Sequence, residues 1–161
     1  MAIHEVHVSR KKEFGDPRGE DVAAEAKRTL GIDTKVTTRA IYRVEGPTLN
    51  QTQTLAKDAL VDPIVEEGAV GYVSTPPLNP HVEVSYKPGV TDPVTGTIQK
   101  VGKDLGIPVV GARVSTVFEF EGITQEQAET IADRVLINKT VQEALVGKPE
   151  TLLVRGERGP I

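Results

Sequence analysis

His4, His7 and His81 are the only imidazoles in a chain that has no cysteine, so a metal centre or an acid-base pair would have to start from them. His4 and His7 lie three apart in a stretch that alternates like a strand, which sends them to opposite faces. No Asp or Glu cluster completes a ligand set around either. All three are read as surface residues of strands, with no metal role. The run from Gly96 to Lys103, GTIQKVGK, invites a phosphate-loop reading, but five residues separate its glycines where that motif has four. Asp104 also stands where the motif needs Ser or Thr, so the run reads as a helix interior with a basic last turn. Asp16 and Asp92 could form a pair of carboxylates for general acid and base work. Each immediately precedes a proline, however, which is the arrangement of a helix N-cap. Arg39, Arg43 and Arg113 fall at outward positions of alternating segments, where guanidinium groups receive a carboxylate or another anion. No catalytic triad, nucleophile elbow or glycine-rich loop is present. No catalytic, metal-binding or cofactor-binding residue is therefore expected, and no cofactor.

These residues have to be positioned by a simple order of elements. Val6 and Val8 alternate with Glu5, His7 and Ser9 as a strand with one buried face. Asp16 and Pro17 open a helix that Gly31 closes, with Val22, Ala23, Ala26 and Leu30 as its apolar stripe. Residues 36–44 alternate again, Val36, Thr38, Ala40, Tyr42 and Val44 on one side and Thr37, Arg39, Ile41 and Arg43 on the other. Thr48 and Gln51 have the spacing of a capping box, and Asp62-Pro63 ends the helix they start. A short strand is expected over residues 69–73, and the proline-rich residues 74–80 read as a joint. Beyond the joint the order repeats: a strand with Val82, Val84 and Tyr86, a helix from Asp92 to Gly106, alternation over 112–120, a helix start at Thr124 and Gln127, and a last strand over 151–154.

The repetition extends to residue types. At a constant offset of 76 positions Thr48 falls on Thr124, Gln51 on Gln127, Ala56 on Ala132, Leu60 on Leu136 and Glu67 on Glu143. Asp16-Pro17 falls on Asp92-Pro93 and Glu45-Gly46 on Glu121-Gly122, while Leu30-Gly31-Ile32 meets Leu105-Gly106-Ile107 with a slip of one residue. The reading is a tandem duplication, with repeats at 1–75 and 76–155 and a tail or linker at 156–161. A unit of about 75 residues buries only about 60% of the surface its unfolded chain exposes, so each half should lean on its twin.

The fold class expected is α+β: two pseudo-twofold-related units, each strand-helix-strand-helix-strand, with a small three-stranded sheet covered on one face by two helices. Ile41 and Val117 on the other face should be covered by the twin half or by another protein. The net charge of −4, with scattered basic residues and few aromatics, argues against a nucleic-acid partner. No apolar run approaches the roughly 20 residues of a membrane span, and a cytoplasmic protein is expected.

Each half resembles PurS, the small subunit of phosphoribosylformylglycinamidine (FGAM) synthase. The residues that carry the likeness are KPGVTDP at 87–93, the helix end Leu105-Gly106, RVSTVFEFE at 113–121 and LVDPIVE at 60–66. The sequence departs from the family pattern at Thr37, Ala40, Thr116 and Lys139. The halves thus differ from it at different places, which a fused pair can do and a symmetric homodimer cannot. Two such units in one chain are similar to a PurS dimer and to the amino-terminal domain of the large single-chain PurL enzyme. The resemblance implies a non-catalytic module that bridges a PurL-type synthase part and a glutaminase part and supports ammonia transfer between them. It leaves open a free subunit or the leading part of a longer chain, and self-association. Residues expected to contact partners are Arg39, Arg43, Asp62, Pro63, Arg113 and Val117. The competing reading is an ACT-like small-molecule-sensing domain, which would need four strands per unit in the order strand-helix-strand-strand-helix-strand.

Overall fold

The computed structural model describes residues 3–71, 79–87, 90, 92–139 and 141–144. Strand β1 (Ile3–Arg10) leads through a 3-10 turn (Lys12–Phe14) to α1 (Pro17–Leu30), β2 (Lys35–Glu45), α2 (Leu49–Leu55) and β3 (Glu66–Gly71). Then come β4 (His81–Tyr86), α3 (Pro93–Asp104), β5 (Gly111–Glu121), α4 (Gln125–Ile131) and β6 (Gln142–Ala144). Each of α2 and α4 runs on into one wide π turn, Ala56–Leu60 and Ala132–Leu136.

The six strands make one antiparallel sheet in the order β3-β1-β2-β5-β4-β6. This corrects the expectation of three-stranded sheets. The inner edges of β2 and β5 join in register from Lys35 opposite Glu121 to Glu45 opposite Gly111, so neither strand is left as an open edge at the centre. The expected strand over 69–73 begins earlier, at Glu66, because the preceding turn closes on Asp62 and delivers Glu66 already aligned with Arg10. Gln142–Ala144, which no stop signal like Asp62-Pro63 precedes, is strand β6 and pairs with β4. The strand expected over 151–154, most of the joint at 74–80 and the tail at 156–161 lie outside the described residues.

The helix ends form as their residues dictate. Asp16 Oδ1 accepts the Gly19 N–H at 2.9 Å, while Asp16 Oδ2 accepts the Thr38 N–H at 2.6 Å, so one carboxylate caps α1 and ties it to β2. Asp92 does the same with Val94 and Val114 at 3.0 and 3.1 Å. Both capping boxes are complete. The likeness at 76 residues reaches the turns: the Asp62 N–H donates to Glu66 Oε1 at 2.9 Å and the Asn138 N–H to Gln142 Oε1 at 3.0 Å. Gly102 sits where a Cβ would meet the Ile107 carbonyl oxygen at 2.9 Å, so it serves close packing, with no part in a phosphate loop.

The core lies on one face of the sheet and is shared across the chain's midpoint. Val22 and Ala26 of α1 pack with Val82, Val84, Phe118 and Phe120 of β4 and β5 and with Ile131 of α4. In return Ile98 of α3 packs with Val44 and Leu55. A third cluster, Val6, Val8 and Ala56, lies within the first half. Truncating Leu55 to Ala should cost about 2–5 kcal/mol and shift one transition for the whole chain. Urea unfolding followed by circular dichroism checks this, and two separable transitions would show independent halves.

Tyr42 borders the second and third clusters, and burial, with a smaller effect of the Glu66 charge, raises its phenol above 10.0. Folding thus favours the un-ionised phenol. This contribution to stability is complete below the unfolded value of about 10 and is lost as pH rises through the folded one. An absorbance titration should find a phenol ionising late, with stability falling above about pH 10.

Candidate functional site

All the described helices that share in the core clusters cover one face of the sheet, and the alternation of β1, β2, β5 and β4 places a distinct set of side chains on the other. Glu5 lies opposite Arg43, Arg43 opposite Arg113, Ile41 opposite Ser115, Arg39 opposite Val117 and Val117 opposite Glu83. Long charged side chains and short polar ones alternate there with Ile41 and Val117. Arg43 is the hub of this face. Its Nε donates to Glu5 Oε2 at 2.8 Å, and its Nη1 donates to Glu83 Oε2 at 2.5 Å and to Ser115 Oγ at 3.0 Å. Ser115 Oγ donates in turn to Glu83 Oε2, and His7 Nε2 lies 3.0 Å from Glu5 Oε1.

One guanidinium thus joins four strands, and it does so out of water: the side chains of Arg43 and Glu5 are 5% and 3% exposed. Burial alone would lower the Arg43 pKa, but the hydrogen bonds and charges of Glu83 and then Glu5 outweigh it and hold the value above that of an ordinary arginine. The cluster is ionised wherever those carboxylates are, and each charge depends on the others for its solvation.

The expected contact residues divide. Arg43 lies in the interior with its Nε and Nη1 engaged, and it organises the face. Val117 is 2% exposed and Ile41 3% exposed, so both are covered within the chain itself. Arg113 is half-buried and donates through Nη2 to the Tyr86 carbonyl. Arg39 is half-buried too, and its buried Nε has no acceptor. Asp62 and Pro63 form an exposed turn apart from this face, with the neighbouring Ile64 72% exposed. Lys11 holds the turn, with its Nζ donating to the Pro63 carbonyl at 2.7 Å and its N–H to the Val65 carbonyl at 2.9 Å.

The histidines are more enclosed than surface residues would be. His4 is 9% exposed, and the His7 side chain 11%. Among the described residues no three of His, Asp and Glu are grouped to hold a metal. No described helix is long and apolar enough to cross a membrane. Glu5, Glu83 and Ser115, the partners of Arg43, were missed in the sequence because alternation alone marks them as outward and polar. The one signal available was that Glu5 shares its outward face with Ile41 and Arg43.

Residues 79–148 match the family model of PurS, phosphoribosylformylglycinamidine (FGAM) synthase. This segment is PurS-like. The matched residues contain β4, α3, β5, α4 and β6, and with them Arg113 and Val117. The match associates the chain with FGAM synthase and purine biosynthesis. No curated protein matches the chain.

Replacing Arg43 by Met removes the cation that bridges Glu5 and Glu83, and should destabilise the fold by about 3–5 kcal/mol. Arg43→Met combined with Glu5→Gln and Glu83→Gln should recover most of that loss. Denaturant midpoints of the single and triple variants check this. Equal losses would mean that the cost lies in packing and not in stranded charge.

Proposed function

We propose that the chain is a non-catalytic accessory module of FGAM synthase, built of two PurS-like units in tandem at about 1–75 and 76–155. On this reading it joins a PurL-type synthase part to a glutaminase part and supports the passage of ammonia between them. The observation that carries the reading is the PurS match over residues 79–148, together with the recurrence of the same bonds at an offset of 76 in the unmatched half. The capping boxes, the Asp ties from helix to strand and the turn closures all recur. The absence of any assembled nucleophile, base or metal cluster among the described residues is compatible with a module that works through its partners. The ACT-like alternative asks for two strands in direct succession within a unit, whereas the described order is strand-helix-strand-helix-strand.

The units offer different surfaces. The first has Pro63 and the exposed Ile64 at its turn, whereas the second has Lys139 there, paired with Asp133 at 2.9 Å. The Asp62-Pro63 turn and the strand around Arg113 therefore contact different partners on this reading, and the module sits in the cytoplasm with them.

A glutamine-dependent synthase assay, run with the ATP-using and glutaminase proteins with and without this chain, tests the proposal. Addition of the chain should restore product formation from glutamine far more than from ammonia. Co-elution should weaken with Arg113→Glu for one partner and with Ile64→Asp for the other. A chain that co-elutes with neither protein and changes neither rate would overturn the proposal.

A further inference from the structure

On the face away from the helices, the charge at one central place is inverted between the two halves. The 76-residue offset carries Arg43 to Glu119, Glu5 to His81, His7 to Glu83 and Arg39 to Ser115. Geometry follows the same rule, since Glu5 lies opposite Arg43 in β1 and β2 just as His81 lies opposite Glu119 in β4 and β5. One half therefore places a cation between acids, whereas the other places an acid where that cation would be.

We propose that this inversion is a pairing key, which makes β2 join β5 of its own chain and reject β2 of a second copy. The inference rests on the two-unit reading above. If the units are alike, β2 could pair with β2 of another copy in the same geometry, with Ala40 facing Ala40. The places of Ser115 and Glu83 beside Arg43 would then be taken by Arg39 and His7 of the second copy. Arg43 would lose the acceptors that it holds at 3.0 and 2.5 Å and meet a guanidinium instead. The β2 with β2 seam brings guanidinium groups together at a poorly hydrated site, whereas the mixed seam gives Arg43 the Glu83 carboxylate and leaves Arg113, directly across, to the Tyr86 carbonyl. A buried ion cluster is a poor source of net stability but a good arbiter of which surfaces meet. The partner that this seam fits is its own other half.

The chain has no cysteine, so introduced thiols report pairing cleanly. Ala40 faces Thr116 across the seam, and directly opposed antiparallel residues have Cα atoms about 4.5–5.5 Å apart, within disulfide range. The full chain carrying Ala40→Cys and Thr116→Cys should, after refolding and mild oxidation, give an intramolecular disulfide and run as a single-chain species on a denaturing gel. The chain with Ala40→Cys alone should give little disulfide-linked dimer, even near the roughly millimolar effective concentration of a tethered half. Adding Arg43→Met and Glu83→Gln should raise that dimer about tenfold, the ratio expected for the loss of a modest discrimination. Equal dimer yields with and without these changes overturn the proposal. Where the double change unfolds the chain, Glu83→Gln alone, which leaves the Arg43 bonds to Glu5 and Ser115, should still raise the yield, and no rise counts against the key. Failure of the two introduced thiols to bridge in the chain that carries only Ala40→Cys and Thr116→Cys would instead undo the union of two units on which the inference stands.

Discussion

The union of β2 with β5 is the constraint on which the rest of the structure depends. It turns what would be two small sheets, each with an exposed inner edge, into one sheet whose outermost strands among the described residues are the short β3 and β6. It also sets the two helix pairs side by side over one continuous surface, where α1 reaches the strands of the second half and α3 reaches Val44 and Leu55 of the first. Shared burial of this kind suits stretches of about 75 residues, which are too short to enclose a full core of their own. The cost of the union falls on the opposite face, where backbone pairing forces Arg43 and Arg113 to stand directly across from each other. Glu5 and Glu83 offset the first of these charges, and the Tyr86 carbonyl accepts from the second.

Much of this architecture was legible in the sequence because it is written in local chemistry. Asp16-Pro17, Asp92-Pro93, Gly31 and the Thr48 and Thr124 capping boxes act through neighbours a few residues away, and each falls at the helix end that its residue types imply. The alternation in β2 and β5 likewise assigned each side chain to the correct face. The sheet order was not legible. Backbone pairing between β2 and β5 depends on which edges are left open in three dimensions, and alternation is the same whether a strand is central or at the edge. The strand at Gln142–Ala144 was missed for a related reason: three residues of mixed polarity have no period to detect, and only their pairing with β4 defines them.

The candidate site was legible in its residue types and not in its roles. Arg39, Arg43 and Arg113 were correctly grouped on one face, since strand parity decides that much. Their states differ because long side chains reach diagonally. Arg43 spans to Glu83, two strands away and off its own row, which no spacing rule within a strand anticipates. The exposed Ile64 escaped notice beside Pro63 because an isolated apolar residue in a turn gives no periodic signal. The repeat drew attention to residues that match, whereas the charge cluster consists of residues that do not.

The crossed packing of α1 and α3 also bears on how the chain comes to be folded. Val22 and Ala26 meet Val36, and Val44 meets Leu55, within the first half, but Phe120 and Ile98 complete these clusters only later in the chain. Beyond Val36 of β2, the α1 stripe meets strands that begin some fifty residues after the helix ends, at His81. Such long-range closures are slow compared with helix formation. The first half thus carries part of its apolar surface uncovered until β4, α3 and β5 have followed it, and the closure of its core is long-range.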